Sequence, residues 1–331
     1  TLYPPRTMET NATACRRGLR FSRRIAVKAG TPVFAHMDGS IALGRIGSLV
    51  EQIAALRQEG RDVFLVTSGA IGTGSMRMVK NQTLASNLRD SLEVATAPAN
   101  QNAAAAVGQS LMMSMYETLF SKYNLSCAQI LVTESDISDA DTIAQVGDTT
   151  NELLQLGIVP IINENDAVTS RSQPVFASGS REVQWDNDVL AARLAAELQA
   201  DLLVVLTDID GLYTLPASGG GSDAGSGGEV DGADVPPRAQ RLPLYASGST
   251  LVRQGIVPNS AALGDDKRGD FAGRTRMSAE GLSQLVDSAL DATASGVRAV
   301  VVTSGHHPRA LLQVVRGEDV GTLFAPREAK L

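Results

Sequence analysis

Apolar residues along this chain fall into two kinds of block that follow one another in turn. Short runs of adjacent aliphatic residues predict buried strands, and longer stretches with apolar residues at every third or fourth position predict helices. The strand-like runs cover 24–30, 62–70, 128–133, 158–163, 201–207 and 297–303, and the helix-like stretches cover 44–60, 102–123, 148–157, 188–200 and 280–294. The alternation indicates an α/β fold.

The predicted strands are continuously apolar, so helices are expected to cover both faces of their sheet. Such a sheet is open and mostly parallel, and its ligands bind beyond the carboxyl ends of the strands. The strand-like runs end in Lys28-Ala29-Gly30-Thr31, Thr67-Ser68-Gly69, Asn163-Glu164-Asn165-Asp166 and Thr207-Asp208. Polar groups at several strand ends of one edge predict a binding site rather than a set of solvated loops.

Two of these strand ends suit an anion. Lys28 would present an ammonium group beside the exposed backbone N–H groups around Gly30, a combination that suits phosphate oxygens. Ser68 and Gly69 precede a predicted helix, and a helix N-terminus favours negative charge. Each feature also has a plainer interpretation, in which Lys28 is a surface lysine and Ser68 is a helix cap.

Carboxylate and amide groups mark the other two strand ends. Asp166 follows its strand closely, and Asp186-Asn187-Asp188 begins a predicted helix, so that together these side chains would bind an ammonium group and hold lysines in place. Thr207 and Asp208 would meet a nucleotide. Each feature also has a plainer interpretation, in which residues 186–188 cap a helix and Thr207 and Asp208 form a capped turn.

Composition and charge exclude several classes of protein. The 331 residues carry a net charge of -7, which argues against a general nucleic-acid binder with a basic face. No apolar run reaches the ~18 residues of a membrane helix. The two cysteines, Cys15 and Cys127, lie far apart and form no CxxC pair, so neither a disulfide framework nor a zinc site is indicated. The histidines form no metal motif, and no protein-bound metal is predicted.

One domain over 24–326 is predicted, with two irregular segments. Residues 1–23 are expected to be a disordered tail, although the arginine-rich stretch 15–24 also fits a transit-like leader. Residues 217–238, rich in glycine, serine and aspartate, are expected to be a flexible insertion. A glycine-rich phosphate cradle is the less favoured interpretation of this insertion, because it lacks a strand-to-helix context.

Several motifs together resemble the glutamate 5-kinases of the amino-acid kinase family, and the kinase part of pyrroline-5-carboxylate synthases. The motifs, spread over 24–326, are VKAGT, LVTSGAI, AAAVGQS, QILVT, IVPIINENDAV, DNDVLAARLAAELQADLLVVLTDIDGLY and VGTLF. The resemblance implies a three-layer α/β/α sandwich around an open, mostly parallel sheet. It also implies phosphoryl transfer from ATP, with Mg²⁺, to the side-chain carboxylate of L-glutamate, the first step of proline biosynthesis.

The resemblance also implies roles for residues at matching motif positions. Lys28 would contact the transferring phosphoryl group, and Asp188 would orient the catalytic lysines. The expected glutamate-binding residues are Ser68, Gly69, Asp166 and Asn187, and the expected nucleotide-binding residues are Lys28, Gly30, Thr207, Asp208, Arg274, Thr275, Arg276 and Met277. A homo-oligomer in the cytoplasm is expected, without the RNA-binding-type or reductase domain that some family members carry after the kinase domain.

One stretch departs from the family pattern. Where the family has a glycine-rich loop followed shortly by a lysine, this chain has GRTRMSAEG at 273–281, with Glu280 in place of the lysine. An acidic side chain repels phosphates, although Arg274 or Arg276 would compensate. Two alternatives stay open: a weakened relative that binds glutamate or nucleotide in a regulatory role, and a kinase for another carboxylate or a nucleotide monophosphate.

Overall fold

A computed structural model describes residues 6–36, 40–83, 98–169, 187–214, 240–246, 256–258 and 279–326. Its α-helices are α1 (Arg6–Gly18), α2 (Thr31–Phe34), α3 (Leu43–Gln58), α4 (Ala70–Thr83), α5 (Pro98–Ser121), α6 (Glu134–Ser138), α7 (Ala140–Gln155), α8 (Asn187–Glu197), α9 (Ala279–Ala294) and α10 (Ala310–Val315). Its strands are β1 (Arg24–Ala29), β2 (Asp62–Thr67), β3 (Cys127–Val132), β4 (Val159–Glu164), β5 (Leu202–Thr207), β6 (Leu212–Thr214), β7 (Gln240–Arg241), β8 (Leu244–Ala246), β9 (Ile256–Pro258), β10 (Ala299–Ser304) and β11 (Thr322–Ala325). The predicted insertion at 217–238 lies outside the described residues.

Eight strands form one sheet in the order β3-β4-β2-β1-β5-β10-β11-β8. Neighbouring strands run parallel except for β10 and β11, which are antiparallel. A second sheet has three strands in the order β7-β6-β9. The predicted open, mostly parallel sheet is therefore confirmed.

Helices cover both faces of the large sheet, because alternate residues of each strand point to opposite sides. One core contains Ile25 and Val27 of β1 together with apolar residues of α3, α5 and α10. The other core contains Ala26 of β1 together with apolar residues of α8 and α9. The result is the three-layer α/β/α arrangement that the continuously apolar strands and the family resemblance predicted.

Strand β3 departs from this burial pattern. It forms the edge of the sheet and pairs with β4, and along Cys127–Val132 only the last residue is fully buried. The prediction of a strand is confirmed here, but the expectation of burial on both faces is wrong. An edge position explains the difference, since one side of β3 has no neighbouring strand among the described residues.

The N-terminal segment also differs from its prediction. Instead of a disordered tail, residues 6–21 form α1 and a 3-10 helix at Leu19–Phe21, and Arg16 is buried. The Arg16 guanidinium donates hydrogen bonds to the carbonyl oxygens of Glu318, Val320, Pro243 and Gly321. Burial lowers the pKa of Arg16 to about 10. The sequence around Arg16 resembles a solvated tail, because the backbone carbonyls that accept hydrogen bonds from its guanidinium lie far away along the chain.

Candidate functional site

The polar strand ends meet at one edge of the sheet. Backbone hydrogen bonds continue past the strands, from Ser68 N to Ala29 O (3.1 Å), from Gly30 N to Leu206 O (2.9 Å) and from Gly305 N to Thr207 O (2.7 Å). On the other side, β4 with its polar end pairs with β2. The ends of β2 and β5 flank that of β1 and so lie two strand spacings apart, or ~10 Å.

A buried ion pair joins two of the predicted site residues. Lys28 Nζ, near the end of β1, lies 2.5 Å from Asp188 Oδ1 in the first turn of α8, and both side chains are more than nine-tenths buried. Removing two charges from water costs free energy that their attraction offsets only partly. A functional role at this edge of the sheet therefore explains the ion pair better than a contribution to the stability of the fold.

Gly30 differs from its expected role. Its N–H, expected to face a phosphate, donates instead to Leu206 O within the sheet. A Cβ atom at this position would lie 3.2 Å from Leu206 O and 3.4 Å from Lys28 Nζ, which is tight for a side chain. Gly30 thus contributes space beside the lysine ammonium rather than a hydrogen-bond donor.

Ser68 and Gly69 form the turn between β2 and α4. Gly69 has a φ of +104°, a conformation that side chains rarely adopt, and Ser68 is buried. Tyr116 of α5 supports the turn, with its hydroxyl 3.4 Å from Thr67 Oγ1. Burial raises the pKa of Tyr116, so the phenol stays neutral and pairs with the threonine as an uncharged group.

The end of β4 contributes Asn163, which the sequence places at a polar strand end without indicating a role of its own. Asn163 is 1% exposed, and its Oδ1 accepts a hydrogen bond from Glu164 N at 2.9 Å. Its Nδ2 is buried and has no hydrogen-bond partner among the described residues. Leaving such a donor unsatisfied costs ~1–3 kcal/mol, which suits a position where a ligand supplies the acceptor. The available signal was an asparagine inside a strand, where this residue type is depleted.

Asn187 offers the complementary atom. It is the first residue of α8, and its Oδ1 is a buried acceptor without a partner in the described part of the chain. An amino acid needs acceptors for its ammonium group and donors for its carboxylates. Asn187 Oδ1 supplies an acceptor and Asn163 Nδ2 a donor, while the buried carboxylate of Asp166 follows the end of β4.

The predicted nucleotide side is only partly described. The Thr207 hydroxyl donates to Asp208 Oδ1 at 3.2 Å, so a hydrogen bond joins the two side chains at the end of β5. Arg274, Thr275, Arg276 and Met277 lie outside the described residues. The backbone of Glu280 belongs to the first turn of α9, so the departing stretch leads into a helix. The other predicted residues are brought to one edge.

Two further observations concern metals and membranes. Within the described ranges, no group of three or more His, Cys, Asp or Glu side chains is arranged to hold a metal ion. Among the helices of those same ranges, none is long and apolar enough to cross a bilayer.

Comparisons with known proteins give a family match and several similar sequences. A model of the amino acid kinase family matches residues 23–219. Glutamate 5-kinase from Symbiobacterium thermophilum is 36% identical over 312 residues, covering 94% of this chain and 98% of that protein. Delta-1-pyrroline-5-carboxylate synthase from Solanum lycopersicum is 38% identical over 302 residues, which are 91% of this chain and 37% of that protein. The chain thus spans just over a third of the length of this plant relative.

One solved structure supports the fold alone. The isopentenyl phosphate kinase of T. acidophilum matches with a TM-score of 0.51 and 14% sequence identity, over 91% of this chain and 99% of that chain.

Proposed function

The chain belongs to the amino acid kinase family, and we propose that it transfers a phosphoryl group from ATP to the side-chain carboxylate of L-glutamate. The product, L-glutamyl 5-phosphate, would enter proline biosynthesis. One observation carries the proposal: two buried amide atoms, Asn163 Nδ2 and Asn187 Oδ1, have no hydrogen-bond partner among the described residues and lie at the sheet edge that also bears the Lys28–Asp188 pair. An amino-acid subsite beside a buried cation is what this reaction requires.

Glutamate would be held at the ends of β2 and β4 and at the start of α8. Asn163 Nδ2 would donate to a substrate carboxylate, and Asn187 Oδ1 together with Asp166 would accept from the ammonium group. Ser68 and Gly69 would contact the substrate from the turn before α4. These contacts would satisfy the two buried amide atoms and orient the side-chain carboxylate toward β1.

The transfer step would need little acid–base chemistry. A glutamate carboxylate is already ionised at neutral pH, so its oxygen attacks phosphorus directly, a new P–O bond forms, and the P–O bond to the departing ADP breaks. The Lys28 ammonium would offset the charge on the transferring group, and Asp188 would hold that ammonium in place. Catalysis would then consist of alignment and electrostatic stabilisation.

ATP would enter as its Mg²⁺ complex on the side of β5. Thr207 and Asp208 end this strand at the same sheet edge, one strand away from Lys28. Cytoplasmic location and homo-oligomer formation belong to the same proposal. Cell fractionation and light scattering of the purified chain test these two points separately from the chemistry.

A second candidate function is favoured by one specific residue. Glu280 stands where the resemblance places a lysine, and an acidic group near a triphosphate opposes transfer. The second candidate is therefore a relative with a regulatory role, which binds glutamate or nucleotide and turns over weakly. Such a protein would keep the residues expected to bind glutamate and lose the lysine of the glycine-rich loop.

Acyl phosphate trapping distinguishes the two functions. The purified chain is incubated with ATP and Mg²⁺ and with glutamate, aspartate or N-acetylglutamate in turn, and hydroxylamine converts any acyl phosphate to a hydroxamate. We expect hydroxamate from glutamate alone. Binding of glutamate or ATP by calorimetry without hydroxamate supports the regulatory candidate. Absence of hydroxamate, of glutamate binding and of ATP binding contradicts both functions.

A further inference from the structure

Helices α4 and α5 touch through their backbones at two glycines. A Cβ atom at Gly74 would overlap the carbonyl oxygen of Ala104, and a Cβ atom at Gly108 would overlap that of Ala70. Because the obstructing atoms belong to backbones inside helices, no side-chain rotation relieves the overlap. Ala70 is the first residue of α4 and follows Ser68 and Gly69 directly. The Gly108 contact therefore sets the position of the turn at the end of β2.

The residue after Gly108 bonds to a different strand end. Gln109 is buried, and its Nε2 donates to the carbonyl oxygen of Glu164 at 3.3 Å. Its Oε1 accepts from Gln129 Nε2 of β3 at 2.8 Å, which fixes the orientation of the amide. Glu164 ends β4, between Asn163 and Asp166 in the chain. Gln109 therefore holds the backbone that carries the second half of the proposed glutamate subsite.

The structure assigns a joint role to these adjacent residues: we propose that Gly108 and Gln109 are positioning residues that set the spacing between the Ser68–Gly69 turn and the Asn163–Asp166 segment. Neither residue is assigned a contact with substrate. Both act through backbone atoms of the two segments that the proposed function gives to glutamate, and the inference rests on that function. Tyr116 of the same helix adds a contact to Thr67 at the end of β2.

A positioning role predicts a selective kinetic effect. The contacts of Gly108 and Gln109 reach the ends of β2 and β4, whereas Lys28, Asp188 and Thr207 belong to β1, α8 and β5. Loss of the Gln109 hydrogen bond should therefore weaken glutamate binding and leave ATP binding unchanged. A residue that served stability alone would lower the melting temperature and leave both KM values unchanged.

Gln109→Met tests this role, because methionine keeps the length of the side chain and removes both hydrogen bonds. The matched control is Gln52→Met on α3: Gln52 is a buried glutamine that donates to Ser48 O and accepts from Leu312 N, away from β2 and β4. We expect Gln109→Met to raise the glutamate KM roughly tenfold, with the ATP KM unchanged, since the hydrogen bond that holds the Glu164 carbonyl is lost. Gln52→Met should leave the glutamate KM unchanged.

A milder variant covers the case in which Gln109→Met does not fold. Gln129→Met leaves Gln109 in place and removes only the bond that orients its amide, so a smaller rise in the glutamate KM is expected. An unchanged glutamate KM in every folded Gln109 and Gln129 variant would overturn the inference. Equal changes in both substrates' KM values, or in the Gln52 control, would overturn it too.

The wild-type chain separates failure of this inference from failure of the proposed function. If wild type turns over glutamate and the variants match it, only the positioning role is lost. If wild type binds glutamate without turnover, the same comparison is made with calorimetric dissociation constants. A wild-type chain that does not bind glutamate refutes the proposed function, and the positioning role with it.

Discussion

Lys28 and Asp188 form an ion pair that links the central strand β1 to the N-terminus of α8, with both side chains withdrawn from water. The helix N-terminus itself favours the Asp188 carboxylate, so this charge has support besides the lysine. Lys28 comes from a strand with hydrogen-bonded neighbours on both sides, which limits its movement. The ammonium is thus held at a defined point between the proposed glutamate and nucleotide sides.

The ion pair predicts a characteristic set of mutant stabilities. Lys28→Met and Asp188→Asn should each lower the free energy of unfolding by ~3–5 kcal/mol, because each removes the opposite charge from beside a buried ionised group. The double variant should recover most of that loss. Turnover should fall ~100-fold or more in all three variants, since the ammonium that stabilises the transferring charge is lost or misplaced. Urea unfolding and hydroxamate formation measure the two effects. A double variant as unstable as the sum of the single ones would contradict the pairing.

Asn163 should contribute to glutamate binding but little to the stability of the fold. Asn163→Leu removes one hydrogen bond to Glu164 N and also removes a buried donor that has no partner in the described part of the chain, so the free energy of unfolding should change by less than ~1 kcal/mol. The glutamate KM should rise at least ~10-fold, because the donor to a substrate carboxylate is lost. Asn151→Leu on α7 is the control and should leave the glutamate KM unchanged. A large loss of stability without a change in KM would assign Asn163 to the fold alone.

Glu280 should limit turnover if the stretch 273–281 corresponds to the family's glycine-rich loop. Glu280→Lys restores a cation near the triphosphate and should raise kcat ~100-fold, the usual worth of one such group. Glu280→Gln removes only the repulsion and should give a smaller gain. Steady-state hydroxamate assays measure both variants. No gain in either, with glutamate binding intact, counts against that correspondence.

Arg16 should be required for stability, although it lies in an arginine-rich N-terminal segment. Arg16→Leu leaves four carbonyl oxygens without their donor, of which that of Gly321 is buried, so we expect a loss of ~3 kcal/mol in the free energy of unfolding. Arg17→Leu, at an exposed neighbouring position, should change it by less than ~0.5 kcal/mol. Thermal and urea unfolding of the two variants provide the comparison. Equal effects would mean that the carbonyl contacts of Arg16 contribute nothing measurable.

Cys127 should be an unreactive thiol. Burial raises its pKa to about 11, and the Glu117 carboxylate adds to the shift. Because the thiolate is the reactive form, alkylation by iodoacetamide at pH 8 should be roughly 100-fold slower than for a free thiol of pKa ~8.5. Peptide mass spectrometry with and without urea measures this. An alkylation rate equal to that of the unfolded chain would contradict the shift.

The same thiol predicts the sign of a stability change with pH. The folded state keeps the Cys127 proton more tightly than the unfolded state, so this contribution is complete below pH ~8.5 and is lost as the pH rises toward the folded pKa. Cys127→Ala should therefore show a shallower loss of stability in alkaline solution. An unchanged slope would mean that the thiol ionises equally in both states.

The hydrophobic pattern was sufficient to predict the layers and the edge of the sheet at which the polar strand ends meet, because burial of continuous apolar strands is a local property of the sequence. Contacts between distant polar groups could not be predicted in this way. The carbonyls that bind Arg16 come from the far end of the chain, and the N–H of Gly30 is taken by a strand whose place beside β1 is set by the fold. Asn163 was given no role of its own for a related reason, since the lack of a partner for its Nδ2 among the described residues is apparent only from the structure.

The hydrogen bonds that join β2, β1 and β5 affect which amino acids could accept the phosphoryl group. Hydrogen bonds between adjacent strands set the gap between the turn at Ser68 and the end of β5, and a change of rotamer does not alter it. Aspartate, with one methylene fewer, would place its carboxylate too far from phosphorus, and a misplacement of about 1 Å can lower a rate ~100-fold. Discrimination against shorter substrates would then depend on the spacing of the strands, and most substitutions of the surrounding side chains would leave it unchanged.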